Sequence, residues 1–146
     1  MKLNFPEYNF KVKTIENANY VFDIIRKKYV LLTPEEWVRQ HLLYYLIHEK
    51  KYPASLISLE KGLTVNGLKK RFDLLAFDKN GQPQLLAECK APEIKLTQKV
   101  FDQIANYNMK FKVRFLLVTN GLQHSMCEFD ADFKSYKFIK EIPELN

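Results

Sequence analysis

The stretch RFDLLAFDKNGQPQLLAECK, residues 71–90, carries two apolar runs on either side of the dipeptide Asn80-Gly81. Both residues of that dipeptide tolerate the positive φ of a type I′ turn, so the segment reads as a β-hairpin with a two-residue loop. Lys79 then faces Gln82, and the register sets Asp73 opposite Glu88, Arg71 opposite Lys90 and Leu75 opposite Leu86. Because side chains alternate along a strand, Asp73, Glu88 and Lys90 are expected on one face. The Cβ atoms of Asp73 and Glu88 would be roughly 4.5–5.5 Å apart.

Like charges directly across a ladder are destabilising, and these two stand among Phe72, Leu74, Leu85 and Leu86. A hard divalent cation, Mg²⁺ or Mn²⁺, compensates naturally, since Mg²⁺ takes oxygen ligands and is commonly held by one or two carboxylates plus substrate phosphate. Lys90 beside that pair can orient or deprotonate a water and stabilise charge that develops on a phosphate. The competing reading is an exposed ion network in which Asp73, Glu88, Lys90 and Arg71 neutralise one another.

Upstream of the hairpin, Tyr8 to Lys13 and Tyr20 to Leu32 look like an antiparallel strand pair around the polar turn at residues 16–19. Thr33-Pro34-Glu35-Glu36 carries helix-start signals: Thr as N-cap, Pro at the first helical position and Glu three residues after the cap. The helix is predicted to run to about Lys50, with Trp37, Val38, Leu42, Tyr45 and Leu46 on its apolar stripe. Strands are expected over 55–63, 69–78 and 83–91, a second helix capped by Thr97 to about Lys110, and a strand buried on both faces over 113–119. Edge strands at 126–129 and 136–139 complete an α/β (α+β) fold with a mixed sheet, read as a single domain over residues 1–146.

Composition sets the bounds. The chain has 146 residues, which is room for one core and not for a motor. Its net charge of +6 suits a polyanionic partner without naming one. Two cysteines, Cys89 and Cys127, form neither a disulfide framework nor a zinc pattern with His41, His48 or His124, and no apolar run approaches the length of a membrane span. A cytoplasmic protein with no membrane partner is expected.

The motifs, taken together, resemble a known family. Arg71-Phe72-Asp73 followed by Glu88-Cys89-Lys90 is similar to the PD-(D/E)XK nuclease signature, and Gln103-Ile104-Ala105-Asn106-Tyr107 matches the Gln-x-x-x-Tyr element of some members. Residues four apart share a helix face, so Gln103 and Tyr107 can point at one ligand. With Thr33–Gln40, Tyr52-Pro53, Ala91-Pro92 and Thr119-Asn120-Gly121 in the same order, most of the chain resembles the N-terminal nuclease domain of type I restriction enzyme R subunits, in a small stand-alone form. Phe72 stands where a Pro often precedes the acid, and no Gly-x-x-x-x-Gly-Lys-Ser/Thr loop occurs, so ATP-driven translocation is not expected of this polypeptide.

The resemblance implies a restriction-endonuclease-like core and Mg²⁺-dependent hydrolysis of phosphodiester bonds, with DNA as substrate. Asp73 and Glu88 would be metal ligands, with the Cys89 backbone carbonyl as a third and Glu36 as a further candidate; Lys90 would be the catalytic lysine, supported by Gln103 and Tyr107. For Glu36 a capping box with Thr33 explains the spacing equally well. Arg39, Lys69, Lys70, Arg71, Lys95 and Lys99 are candidates for phosphate contacts, which position nucleic acid without reading its sequence; for Arg39, three residues past Glu36, a contact with the acidic cluster and a solvated helix position are equally open. The rival expectation is a nucleic-acid-binding or assembly module that keeps the fold without turnover and works with separately encoded protein partners.

Overall fold

The structure, a computed structural model, describes residues 2–145. Three short strands, β1 (Val12–Ile15), β2 (Ala18–Asp23) and β3 (Lys28–Leu31), form an antiparallel meander of their own. Glu16 and Asn17 both take positive φ (50° and 67°), the signature of a type I′ turn joining β1 to β2. The long second strand expected from the sequence is broken after Asp23. Its carboxylate accepts from the N–H groups of Ile25 and Arg26 at 2.8 and 2.7 Å, and that turn separates β2 from β3.

Helix α1 (Pro34–His48) starts where the sequence places it, with Thr33 Oγ1 accepting from Glu36 N at 3.0 Å. A single 3₁₀ turn over Ala54–Leu56 leads into β4 (Ile57–Val65), followed by β5 (Leu68–Phe77), β6 (Pro83–Cys89), α2 (Gln98–Met109), β7 (Phe115–Thr119), β8 (His124–Phe129) and β9 (Tyr136–Ile139). The second sheet has the order β4-β5-β6-β7-β8-β9, and only β6 and β7 run parallel, because α2 crosses between them. One face buries Leu74, Ala76, Leu85, Ala87 and Leu117 with Val38, Leu42, Leu43 and Leu46 of α1. The other buries Leu75, Leu86, Leu116 and Val118 with Phe101 and Ala105 of α2. Two helix-covered faces explain the unbroken apolar runs of β6 and β7.

The β5–β6 register differs from the sequence reading in mechanism and agrees with it in the middle of the hairpin. Of the loop residues only Gly81 takes positive φ (+80°), and Asp78 pairs with Gln82 through Asp78 N to Gln82 O at 2.8 Å. The loop is therefore three residues, 79–81, closed by Asp78 Oδ1 accepting from the N–H groups of Asn80 and Gln82 at 2.8 and 2.9 Å. Phe77 pairs with Pro83, a bulge follows between Ala76 and Phe77, and Gln84 is the extra residue. The longer loop and the bulge shift the register in opposite senses, so Ala76↔Leu85, Leu75↔Leu86 and Leu74↔Ala87 keep the expected pairing. Gln84 is buried and stabilised there by donating to Glu144 O at 3.0 Å.

Candidate active site

At the end of the hairpin away from its loop the ladder between β5 and β6 stops. The β5–β6 pairing ends at Leu74↔Ala87, so Arg71 and Lys90 are not ladder partners, which corrects the pairing drawn from turn chemistry. On the other side, β4 and β5 pair at Leu59↔Leu74 and again at Lys61↔Phe72, skipping Glu60 and Asp73, and Glu60 takes φ +47°. A non-glycine residue in this region is strained, a condition that collects at functional sites. The irregularity also turns the strand: Leu74 belongs to the α1 face and Phe72, two residues away, to the α2 face.

Asp73 and Glu88 take their side-chain partners from different elements. Asp73 Oδ1 accepts from Arg39 of α1 at 3.1 Å, and Oδ2 from the Cys89 N–H at 2.8 Å. Glu88 accepts from Lys70, which also donates to Asn108 Oδ1 of α2 at 2.9 Å. The two carboxylates still sense each other: burial pushes Asp73 up to about 6, and the Glu88 charge adds to that rise against the lowering by the Cys89 N–H and Arg39. Glu60 moves the other way, because bonds to Arg71 and the Arg39 charge outweigh its burial and hold it below the usual carboxylate range.

Of the readings open for Arg39, a phosphate contact, a contact with the acidic cluster or a solvated helix position, the structure shows the second: Arg39 is the buried centre of this cluster. Its side chain is 3% exposed and donates to Glu36 at 2.7 Å, Glu35 at 3.0 Å, Glu60 at 2.5 Å and Asp73 at 3.1 Å. The Glu36 carboxylate also accepts from Arg26 at 2.8 Å and Gln40 at 3.1 Å, so its oxygens are committed to protein donors. Thr33 N donates to Leu31 O rather than to Glu36, so only half of the capping box forms. Sequence reasoning missed Glu35 and Glu60: carboxylate oxygens of Glu35, Glu60 and Asp73 all lie within 4.8 Å of one another. The one available signal was Arg39 four residues after Glu35, a spacing that forms helix ion pairs; nothing in the sequence marked Glu60.

Lys90 is half-buried, and its ammonium has no hydrogen-bond or ion-pair partner among the described residues, while its backbone N–H is held by Thr119 O at 2.8 Å. Gln103 is exposed and makes no side-chain hydrogen bond among the described residues; Tyr107 is 50% exposed and lies against Lys70, 5.0 Å from Nζ to ring centroid. Lys69, Lys95 and Lys99 are exposed and unpaired among the described residues, and Arg71 is exposed but bonded to Glu60 at 2.7 Å. Lys70 is not a free phosphate contact, because Glu88 and Asn108 take its ammonium. A cavity of about 610 Å³ beside β8, β9 and the C-terminal segment contains none of these groups.

Residues 34–143 match the model of the family described as type I restriction enzyme R protein N terminus. The chain belongs to the type I restriction enzyme R protein N-terminus family. A solved fragment assigned as an HsdR subunit of a type I restriction enzyme from Vibrio vulnificus YJ016 is similar at 20% identity with a TM-score of 0.52, over 77% of this chain. That match spans 24% of the fragment's length, and at this identity it shows the fold alone, a restriction-endonuclease-like mixed α/β domain. No curated protein matches the chain. No helix among the described residues of this R protein N-terminal domain is long and apolar enough to cross a membrane. The Thr119-Asn120-Gly121 motif has a structural basis in it. Thr119 Oγ1 accepts from Gly121 N at 2.9 Å, and Asn120 Oδ1 accepts from the N–H groups of Leu122 and Gln123 at 2.9 and 2.7 Å.

Proposed function

We propose that this R protein N-terminal domain is a Mg²⁺- or Mn²⁺-dependent nuclease that hydrolyses phosphodiester bonds in DNA. The observation that carries the reading is a charge imbalance. The linked cluster holds five carboxylates (Asp23, Glu35, Glu36, Glu60, Asp73) against three guanidiniums (Arg26, Arg39, Arg71), leaving two negative charges. One divalent cation neutralises them. The donor set is all oxygen, as Mg²⁺ prefers, and the mutual spacing of Glu35, Glu60 and Asp73 needs only a small contraction to meet in one coordination shell.

Asp73 would hold the metal with Glu88, the Cys89 carbonyl, Glu60 and Glu35, whereas Glu36 serves by fixing Arg39. When bound, the ion would lower the pKa of a coordinated water and offset charge on the phosphate. Lys90, whose ammonium has no partner among the described residues, would hydrogen-bond the attacking water or a non-bridging phosphate oxygen, where a point charge stabilises the transition state most. Exposed Lys69, Lys95 and Lys99 supply backbone phosphate contacts. Cleavage of supercoiled plasmid and of labelled oligonucleotides with Mg²⁺ or Mn²⁺ tests this: Lys90→Ala is expected to lose at least about a hundredfold in rate. Identical cleavage by wild type and Lys90→Ala overturns it.

A second reading rests on a specific feature: Glu36, Glu60, Asp73 and Glu88 all already carry protein cations. A DNA-binding or assembly module acting with separately encoded partners needs no more than that. Salt-dependent DNA binding without cleavage under any divalent ion is its signature.

A further inference from the structure

Lys69, Lys70 and Arg71 are consecutive on β5, and strand alternation separates them. Lys69 and Arg71 turn to solvent and Lys70 turns inward. The Lys70 side chain is 15% exposed, and its ammonium sits 5.4, 5.0 and 5.5 Å from the ring centroids of Phe72, Tyr107 and Phe111. It donates to Glu88 and, at 2.9 Å, to Asn108 Oδ1. Asn108 is itself 1% exposed, and its Nδ2 is tied to Ile104 O at 2.9 Å, which turns the amide oxygen toward the ammonium. Three aromatic faces, a fixed amide oxygen and one carboxylate make a receptacle for a single cation. The turn between β4 and β5 is tied separately to the segment after α2, where Asn66 Nδ2 donates to Phe111 O.

We propose that Lys70 is a placeholder cation for Glu88, neutralising that carboxylate while no metal is bound and competing with a divalent ion for it. This rests on the reading of Glu88 as a metal ligand. The aromatic cage keeps the ammonium close to Glu88, so the ion must displace a paired charge, and the domain loads metal only above a threshold that Lys70 sets. Lys70 is a positioning residue, distinct from Lys90, whose ammonium has no partner among the described residues.

The test is Mn²⁺ binding to the full chain, followed by the electron paramagnetic resonance signal of free Mn²⁺, with no substrate present. Lys70→Met keeps an apolar stem over the three rings and removes the charge. It is expected to bind Mn²⁺ about tenfold more tightly, because an adjacent like charge no longer opposes the ion. Lys70→Arg, which keeps the charge, and Lys69→Met, which makes the same change of net charge outside the cage, should stay within about twofold of wild type. Combining Lys70→Met with Glu88→Gln should abolish the gain. Should Lys70→Met fail to fold, Lys70→Gln replaces it in the same measurement. Wild type that binds Mn²⁺ while the neutral variant binds equally or more weakly overturns the placeholder role and leaves the metal site standing. If no variant and no wild type binds Mn²⁺, the metal reading fails and the placeholder falls with it.

Discussion

Replacing Arg39 by Met tests the charge structure of the cluster directly. The guanidinium is 3% exposed and holds four carboxylates between 2.5 and 3.1 Å. Burial alone favours a neutral side chain, yet Glu36, Asp73 and Glu60 raise its pKa above the ordinary value, so it is charged at every accessible pH. Methionine approximates its length and removes the charge, taking the cluster from two uncompensated negative charges to three. Removing one partner from a buried ion network costs about 3–5 kcal/mol. The Glu35 side chain is 46% exposed, so its share is screened and the lower end of that range applies. For a chain of this size about 3 kcal/mol lowers Tm by roughly 10 °C.

Urea denaturation followed by circular dichroism, with and without Mg²⁺, measures both the loss and its relief. At an ion concentration about a hundred times Kd, binding contributes about 2.7 kcal/mol. The variant should recover more stability from Mg²⁺ than wild type does, because the ion supplies the missing positive charge. A loss below about 1 kcal/mol would mean that solvent screens the cluster, and the charge imbalance would no longer call for a cation.

Three further outcomes are expected. The raised pKa of Asp73, about 6 against an ordinary 3.8, means that the folded state binds this proton more tightly than the unfolded chain. Its contribution to stability is present below the unfolded value and lost as pH rises through about 6, so wild type should lose about 2–3 kcal/mol relative to Asp73→Asn between about pH 4 and pH 7.5. Urea titrations giving the same difference at both pH values would contradict this. Gly121→Ala should cost about 2–4 kcal/mol by thermal melt: Gly121 sits at φ +87°, and a Cβ there would lie 2.8 Å from Leu3 Cδ2 and 3.1 Å from Val38 Cγ2. Thr33→Ala removes the acceptor of the Glu36 N–H at 3.0 Å and should cost about 1 kcal/mol in the same assay, with no change in Mn²⁺ affinity if the cap is only structural.

Local chemistry was legible along most of the chain. Thr33-Pro34 and Thr97 mark the starts of α1 and α2, because a cap depends on residues within one turn of it. The apolar run of β7 shows its burial directly, since both of its faces are covered. The hairpin was found through Asn80-Gly81, yet the reason given for its register was incomplete. Whether a loop spans two residues or three depends on the Asp78 side-chain bonds, and the compensating bulge at Gln84 depends on a contact with Glu144, sixty residues away.

The amino-acid sequence by itself determined the order of elements from α1 onward and the two helix caps, and it singled out Asp73, Glu88 and Lys90, all through short-range spacing. Tertiary structure alone decided how charge is shared among them. Arg39 reaches Glu60 and Asp73 across 21 and 34 residues, and Lys70 reaches Asn108 across 38, so neither pairing leaves a periodic trace. The same folding brings Glu60 beside Asp73 and Arg26 onto Glu36, which no residue spacing could report, whereas Arg39 and Gln40 reach Glu36 at ordinary helix spacings of three and four. Coulomb energy depends on distance in space and on burial, and both are fixed only when the strands and α1 close on one another.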